Sequence, residues 1–462
     1  MMTNNKLIKN LLGVNKIKVK NVESVITSNG CKKLIVDVEP YKSEQCRCPL
    51  CNDNKKLPRY DSSKNVNVWR GLDLGSVLLD IRCEAPRVTC KRHGVITSRV
   101  PFAFYNSRFT KDFDLTVAWM AKSLSKSAIS EYMRISWLTV GRCISRARNY
   151  LEPNPLIRLQ DLKRIGIDET SYSKGYRYIT TVINHDTNTI VWVGQNHGKS
   201  VLEGFFNSLS KEQLSQIEVI SGDGARWISE CASKYCPKAL RCTDPFHVVA
   251  WASEALDEIR KESWREANKE LKELTSGIKR DKGRPKNDDE VSKEISLAKH
   301  KVSEIKNSRY ALNKAPENLT ENQEVKLALI KSKDNRLYRA YLLKETLRNL
   351  LKIKDCAIAE EEINSWLSWA VRSRIEPFKN LAKKIKRHKE YILNFIKTGI
   401  SNARVEANNN KISLLVHRSY GFKNFTNMVD LIMLVCSDIC IPLPNRPIKD
   451  DETPILKENP AI

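Results

Sequence analysis

The sequence predicts an α/β protein: a mixed-sheet core interrupted by a helical insertion and preceded by a metal-binding module and a helical hairpin. Three observations carry this. Short apolar strands that end in acidic residues cluster between 163 and 250, a basic helical stretch follows from 251 to about 398, and paired cysteines open the chain at 46–93. At 462 residues with 41% hydrophobic and 29% charged content, the composition is that of a globular protein large enough for several domains.

The formal charge is +25, from 79 Lys and Arg against 54 Asp and Glu. An excess of that size points to a polyanionic partner. No run approaches the ~20 apolar residues of a membrane span; LIMLVC (431–436) is soon interrupted by Asp438. The start, MMTNNKLIKNLLG, lacks the apolar core of a secretory signal. A reducing cytoplasmic location is therefore expected, and the 13 cysteines are not read as a disulfide framework.

After an N-terminal segment (1–45), residues 46–100 form the expected zinc module. Cys48 and Cys51 make C-x2-C, and Cys90 and His93 make C-x2-H. Each spacing lets one turn aim two soft ligands at one ion, and two such turns complete a tetrahedral structural site. Cys46 and Cys83 are further thiols, either of which can replace a member of the four. The strands between the turns look too short for a core of their own, so the metal is expected to contribute folding energy.

Residues 108–150 read as helix, turn, helix. Ala128, Ile129, Tyr132 and Met133 form one apolar face and Val140, Ile144 and Ala147 the next, with Ser136 at the turn as N-cap. The second helix, 137–149, carries Arg142, Arg146 and Arg148. This is the layout of a helix-turn-helix that enters a DNA major groove.

Residues 161–250 supply the first part of the core. KRIGIDET is a strand ending at Asp168 and Glu169, and YRYITTVINHDTNTIVWVGQ reads as two antiparallel strands joined at HDTN. An amphipathic helix with Leu202, Phe205, Phe206 and Leu209 inward precedes IEVISGDGARW, whose strand ends at Asp223; a last short strand ends near Asp244. Asp168 and Asp223 at adjacent parallel tips would repel, and a hard divalent cation resolves that repulsion. Such a site performs metal-assisted phosphoryl transfer. Glu169 faces away from Asp168 if the alternation continues. Asp244 is read as accessory, with His247 three residues on, and capping of the helix that starts at Pro245 remains open for it.

The insertion, 251–398, contains a Gly/Pro/charge-rich stretch at 276–290, expected to be a mobile loop, and a basic amphipathic helix. Between 371 and 390 eight Lys or Arg stand against two Glu; Phe378, Leu381 and Ile385 face inward, while Lys383, Lys384, Lys386 and Arg387 are placed on the DNA side. Residues 399–445 return to the core. On a helix over 402–415, Asn402, Glu406, Asn409 or Asn410, and Ser413 share one face. Glu406 can thus face the strand tips, with Asn402, Asn409 and Asn410 as accessory groups that hold a phosphate or orient the carboxylate. Residues 446–462 are expected to form a flexible tail.

GIDET, SGDGARW, DPFHV and SNARVEANNNKISLLVHRSYGFKNF, following the cysteine module and the helical hairpin, resemble the ISL3 family of bacterial insertion-sequence transposases. The resemblance runs from about residue 46 to 440. It implies an RNase H-like core of the DDE type, in which Asp168, Asp223 and Glu406 are the three carboxylates and Asp244, Phe246 and His247 match the family's DxFH-type segment. Where that family commonly has lysine after Ile412, this chain has Ser413. The resemblance implies binding of double-stranded DNA at terminal inverted repeats, cleavage, and joining of the 3′-OH to target DNA with Mg2+ or Mn2+. It further implies a homo-oligomer at paired ends and a location at the bacterial nucleoid. The rival readings are a non-catalytic DNA-binding regulator, an inactive transposase remnant, and an RNase H-like structure-specific nuclease.

Overall fold

A computed structural model describes residues 4–51, 55–61, 66–276, 290–422, 424–444 and 446. The expected loop at 276–290 and tail at 446–462 lie, but for residues 276, 290 and 446, outside the described residues. The chain divides into two compact units. One comprises Met1–Arg158, Thr189–Val191 and Asn408–Ile462, the other Leu159–Asn188 and Trp192–Ala407.

The first unit starts with α1 (Asn4–Leu11) and a sheet of β1 (Ile17–Ile26), β2 (Lys32–Pro40), β3 (Val66–Arg70) and β4 (Leu78–Glu84) in the order β1-β2-β4-β3. Alternation buries Val36 and Val38, and Leu79 and Ile81, over Ile17, Trp69 and Phe102. This corrects the expectation that the strands here are too short for a core. The N-terminal residues, which show little pattern by themselves, supply β1 and β2 and complete the sheet. The hairpin β5 (Arg87–Cys90) and β6 (Gly94–Thr97) has only a small cluster of its own, made of Val88, Ile96 and the cysteines 46, 48, 51 and 90.

Next come α2 (Lys111–Ala121), α3 (Lys126–Met133) and α4 (Trp137–Leu151). Arg134 ends α3 in the left-handed region at φ 52°, and Ser136 caps α4, its hydroxyl accepting from Thr139 N at 3.2 Å. Ile129, Met133, Val140, Ile144 and Ala147 are buried. Tyr132 is exposed, as is Ala128, because Lys126 takes the inner position of the first turn instead. The Lys126 ammonium lies 4.6 Å from the centroid of the Trp137 ring and 5.1 Å from that of Phe422.

The second unit is built on β7 (Arg164–Ser173), β8 (Arg177–Asn184), β9 (Thr189–Gln195), β10 (Val219–Gly222) and β11 (Leu240–Thr243) in the order β11-β10-β7-β8-β9. β7 pairs antiparallel with β8, whereas β10 runs parallel to both β7 and β11. Counted along the chain the order is 3-2-1-4-5, the mixed sheet of an RNase H-like core. The helices α5 (Lys199–Asn207), α6 (Lys211–Gln216) and α7 (Arg226–Tyr235) separate the strands, and α5 buries Leu202, Phe205 and Phe206.

The insertion follows β11. It consists of α8 (Pro245–Ser276), α9 (Glu290–Asn307), α10 (Arg309–Asn313), α11 (Glu321–Lys333), α12 (Asn335–Leu350), α13 (Cys356–Arg372) and α14 (Glu376–Thr398). One apolar cluster joins α8 and α14 through Val248, Leu256, Phe378, Ile385 and Ile396. Gly399, at φ 67°, stops α14, and α15 (Ala403–Arg418) and α16 (Phe425–Cys436) end the described elements.

Candidate active site and metal centre

The parallel register aligns three acidic residues, Asp168 within β7 and Asp223 and Asp244 just past the ends of β10 and β11. Ser221 pairs with Gly166 and Gly222 with Thr243, so Asp223 falls level with Asp168 on one side and Asp244 on the other. Asp168 and Asp223 are half-buried, and each carboxylate accepts a local backbone N–H, from Glu169 at 2.9 Å and from Ala225 at 2.9 Å. The Asp223 bond is an Asx turn just past the end of β10, whereas Asp168 is held within β7, which runs on to Ser173 rather than ending there as expected. Glu169 Oε2 stands 3.6 Å from His197 Nδ1. Burial raises the Glu169 pKa, His197 opposes this, and the charges of Asp223 and Asp168 add to the rise. Mutual repulsion of this kind suits a hard cation with carboxylate ligands.

Asp244 is 5% exposed, and one of its oxygens accepts from Asn402 N at 3.2 Å. Burial lifts its pKa, the Asn402 N–H and His247 oppose the rise, and Glu406 adds to it. Glu406 itself is exposed in the first turn of α15. His247 is half-buried, while Phe246 is 62% exposed. Asn402 is buried, and its side chain bonds inward, Oδ1 accepting from Ser221 and Nδ2 donating to the Ile167 carbonyl. Asn409 is half-buried and Asn410 exposed, both in the first unit.

Among the described residues, one group of three or more His, Cys, Asp or Glu has ligand atoms all within 4.8 Å of one another: Cys48, Cys51, Cys90 and His93. His93 Nδ1 lies 3.4 Å from the Cys48 and Cys51 sulfurs and 3.6 Å from Cys90 Sγ, and Cys51 and Cys90 sulfurs are 3.6 Å apart. Ligands held 2.0–2.3 Å from one tetrahedral ion stand about 3.3–3.8 Å apart, so the donor set fits zinc. Burial pushes the Cys90 thiol up, but the backbone N–H groups of Arg92 and His93, together with the His93 ring and the Cys51 thiol, bring it to about 6. Cys46 packs beside the four, and Cys83 belongs to β4.

Comparison with known families decides the identity. Residues 165–432 match the ISL3 model of DDE type described as "Transposase", and residues 98–148 match the helix-turn-helix domain of transposase family ISL3. The transposase for insertion sequence element IS1557 of Mycobacterium tuberculosis, in strains CDC 1551 / Oshkosh and ATCC 25618 / H37Rv alike, is 39% identical over 96% of this chain and 98% of its own length. The transposase for insertion sequence element IS1001 of Bordetella parapertussis is 23% identical over 83% of this chain and 88% of its own. The chain belongs to the ISL3 transposase family.

In this ISL3 transposase the helix-turn-helix arginines do not act alike. Arg142 is exposed, whereas Arg146 grips the fully buried Asp114 through Nε at 2.9 Å and Nη2 at 2.7 Å. Arg148 bonds Asp430 of α16 at 3.1 Å and Glu152 at 3.3 Å. Arg146 and Arg148 are thus corrected from DNA contacts to internal clamps, because buried carboxylates claim their guanidinium groups. On α14, Lys383, Lys386 and Arg387 are exposed. Lys384 is half-buried, its ammonium 3.7 Å from the centroid of the Trp251 ring.

Sequence reasoning missed two sets of residues in this ISL3 transposase. Arg241, 5% exposed on β11, donates to the Asp223 and Cys242 carbonyls, and burial lowers its pKa to about 10 although Asp223 opposes the fall. A lone arginine in the apolar stretch ALRCT was the available signal. His185 and Ser221 form a buried pair at 2.7 Å behind the strand ends. His185 opens the HDTN turn and Ser221 lies in the strand before Asp223, and neither stretch signals the pairing.

Proposed function

We propose that this ISL3 transposase binds the terminal inverted repeats of its insertion sequence, cleaves the ends, and joins the free 3′-OH to target DNA. The observation that carries this is the register that sets Asp223, just past the end of β10, level with Asp168 in the neighbouring parallel strand β7. Asp168 and Asp223 would hold Mg2+ or Mn2+, with Glu406 closing the ligand set from α15. Bound there, the cation supplies a more acidic attacking water and neutralises charge on the leaving oxygen. The carboxylates fix where that charge sits, and neither a serine nor a tyrosine nucleophile is required. His247 and the exposed Phe246 border the strand end at Asp244 and are assigned to the flanking DNA strand.

Zinc at Cys48, Cys51, Cys90 and His93 is structural: four protein ligands leave no open position for water. Arg142, Lys383, Lys386 and Arg387 are read as phosphate contacts, with Lys384 partly committed to Trp251. Synapsis of two ends calls for a homo-oligomer, acting at the bacterial nucleoid in the cytoplasm.

A DNA-binding regulator or inactive remnant leaves the aligned carboxylates without a role, and a structure-specific nuclease cuts without joining. The deciding experiment incubates the protein with element-end DNA and Mg2+ or Mn2+ and scores nicking and strand joining separately. Metal-dependent cutting and joining support the proposal; cutting without joining favours the nuclease, and binding alone the regulator.

A further inference from the structure

Asn402 immediately precedes α15, and its carbonyl accepts from Glu406 N at 2.9 Å. An asparagine at such a position ordinarily turns its side chain back to cap its own helix. Here it turns the other way. Nδ2 donates to the Ile167 carbonyl at 3.3 Å, Oδ1 accepts from the Ser221 hydroxyl, and the backbone N–H donates to Asp244. With its proton directed at Asn402, Ser221 Oγ accepts from His185 Nε2–H at 2.7 Å. The donor order therefore assigns the His185 proton to Nε2.

Each anchor of Asn402 adjoins one of the aligned carboxylates: Ile167 precedes Asp168, Ser221 stands two residues before Asp223, and Asp244 is itself one. Gly166 makes room for the arrangement. A Cβ there would lie 2.7 Å from His185 Nε2 and 2.8 Å from Val405 Cγ2, and Val405 is the residue before Glu406. We infer that the chain from His185 through Ser221 to Asn402 positions Glu406 relative to Asp168 and Asp223, and so sets the metal geometry. The three are positioning residues. Burial keeps His185 neutral, as its role of single donor requires. This inference rests on the reading of Glu406 as the third carboxylate.

A misplacement of about 1 Å at such a site costs on the order of 100-fold in rate. Mg2+ demands near-ideal octahedral geometry, so the loss should be deeper in Mg2+ than in Mn2+. The test uses the full chain and saturating element-end DNA. Asn402→Ala should lower the cleavage rate about 100-fold in Mg2+, with end binding unchanged and at least part of the loss recovered in Mn2+. Ser221→Ala, which leaves Asn402 in place, should fall in the same direction and stands in if Asn402→Ala does not fold. His185→Leu should lose rate and His185→Gln, which keeps an amide donor, should retain it. Wild-type rates in a folded Asn402→Ala or Ser221→Ala, beside an inactive Glu406→Gln, would overturn the relay alone. Equal losses in both metals, without retention in His185→Gln, would also overturn it and leave plain support of the fold. Full cleavage by Glu406→Gln would instead remove the reading on which it rests.

Discussion

Asp223 stands level with Asp168 across two parallel strands, because Ser221 and Gly166 pair two residues earlier in each. Asp168→Asn, Asp223→Asn and Glu406→Gln should each reduce cleavage by more than about 100-fold, the upper range for losing only an outer-shell partner of a metal site. Gel-shift affinity for end DNA should stay within a few-fold. A variant that cuts normally takes its residue out of the ligand set.

Zinc removal should act on the first unit. The β5–β6 hairpin has few apolar residues of its own, and structural zinc contributes about 10–16 kcal/mol of apparent binding energy in comparable small folds. Elemental analysis should find one zinc per chain, lost in Cys48→Ser and Cys90→Ser. Limited proteolysis after chelation should cut near residues 46–51 and 87–97 first, while the four-stranded sheet with its own core, β3 and β4 included, persists.

Arg142 and Arg146 should separate DNA binding from stability. Removing Arg146 leaves the buried Asp114 uncompensated, at a cost of about 3–5 kcal/mol, so Arg146→Ala should lower the thermal midpoint markedly. Arg142→Ala should leave that midpoint unchanged, weaken end binding, and reduce the salt slope of log affinity by about 0.9. The converse pattern would restore Arg146 to the DNA surface.

His185 should make the fold acid-sensitive. Burial and the nearby Arg404 and Arg164 lower its pKa to about 4, against the opposing Asp186. The fold therefore takes up a proton less readily than the unfolded chain. Stabilisation is whole above pH 6.5 and is lost as pH falls from 6.5 toward 4, by about 3 kcal/mol over that window. Urea unfolding at a series of pH values should show this dependence in the wild type and a flatter one in His185→Gln.

On α14, Lys383→Glu, Lys386→Glu and Arg387→Glu should weaken DNA binding without lowering the thermal midpoint, since all three are exposed. Lys384→Ala should do both, because it also gives up its packing on Trp251. Binding isotherms at several salt concentrations, paired with melting curves, distinguish the two classes.

Patterns of local period were readable in the sequence. Ser136 emerged as a cap and the α5 face from Leu202 to Phe206 as buried, because both depend on neighbours a few residues away. The strand ending before Asp223 was legible for the same reason, whereas the strand expected to end at Asp168 and Glu169 runs on to Ser173, because β8 continues to pair with it. What escaped depends on distant partners. Nothing near Arg146 announces Asp114, which lies 32 residues earlier, and nothing in HDTN announces that His185 meets Ser221. Charge was likewise a poor guide to exposure: Lys126 is buried against two aromatic rings, while Tyr132 takes the outside.

The bond between Asp244 and Asn402 spans 158 positions of chain. Closing so long a loop from an unfolded chain is entropically costly and slow. The insertion changes that problem, because α8 begins directly after Asp244, α14 ends four residues before Asn402, and both pack in one apolar cluster. Once those helices have assembled, the two ends are already neighbours and only a few residues remain to be ordered. A detour in the gene thus works as a short tether in the folding reaction.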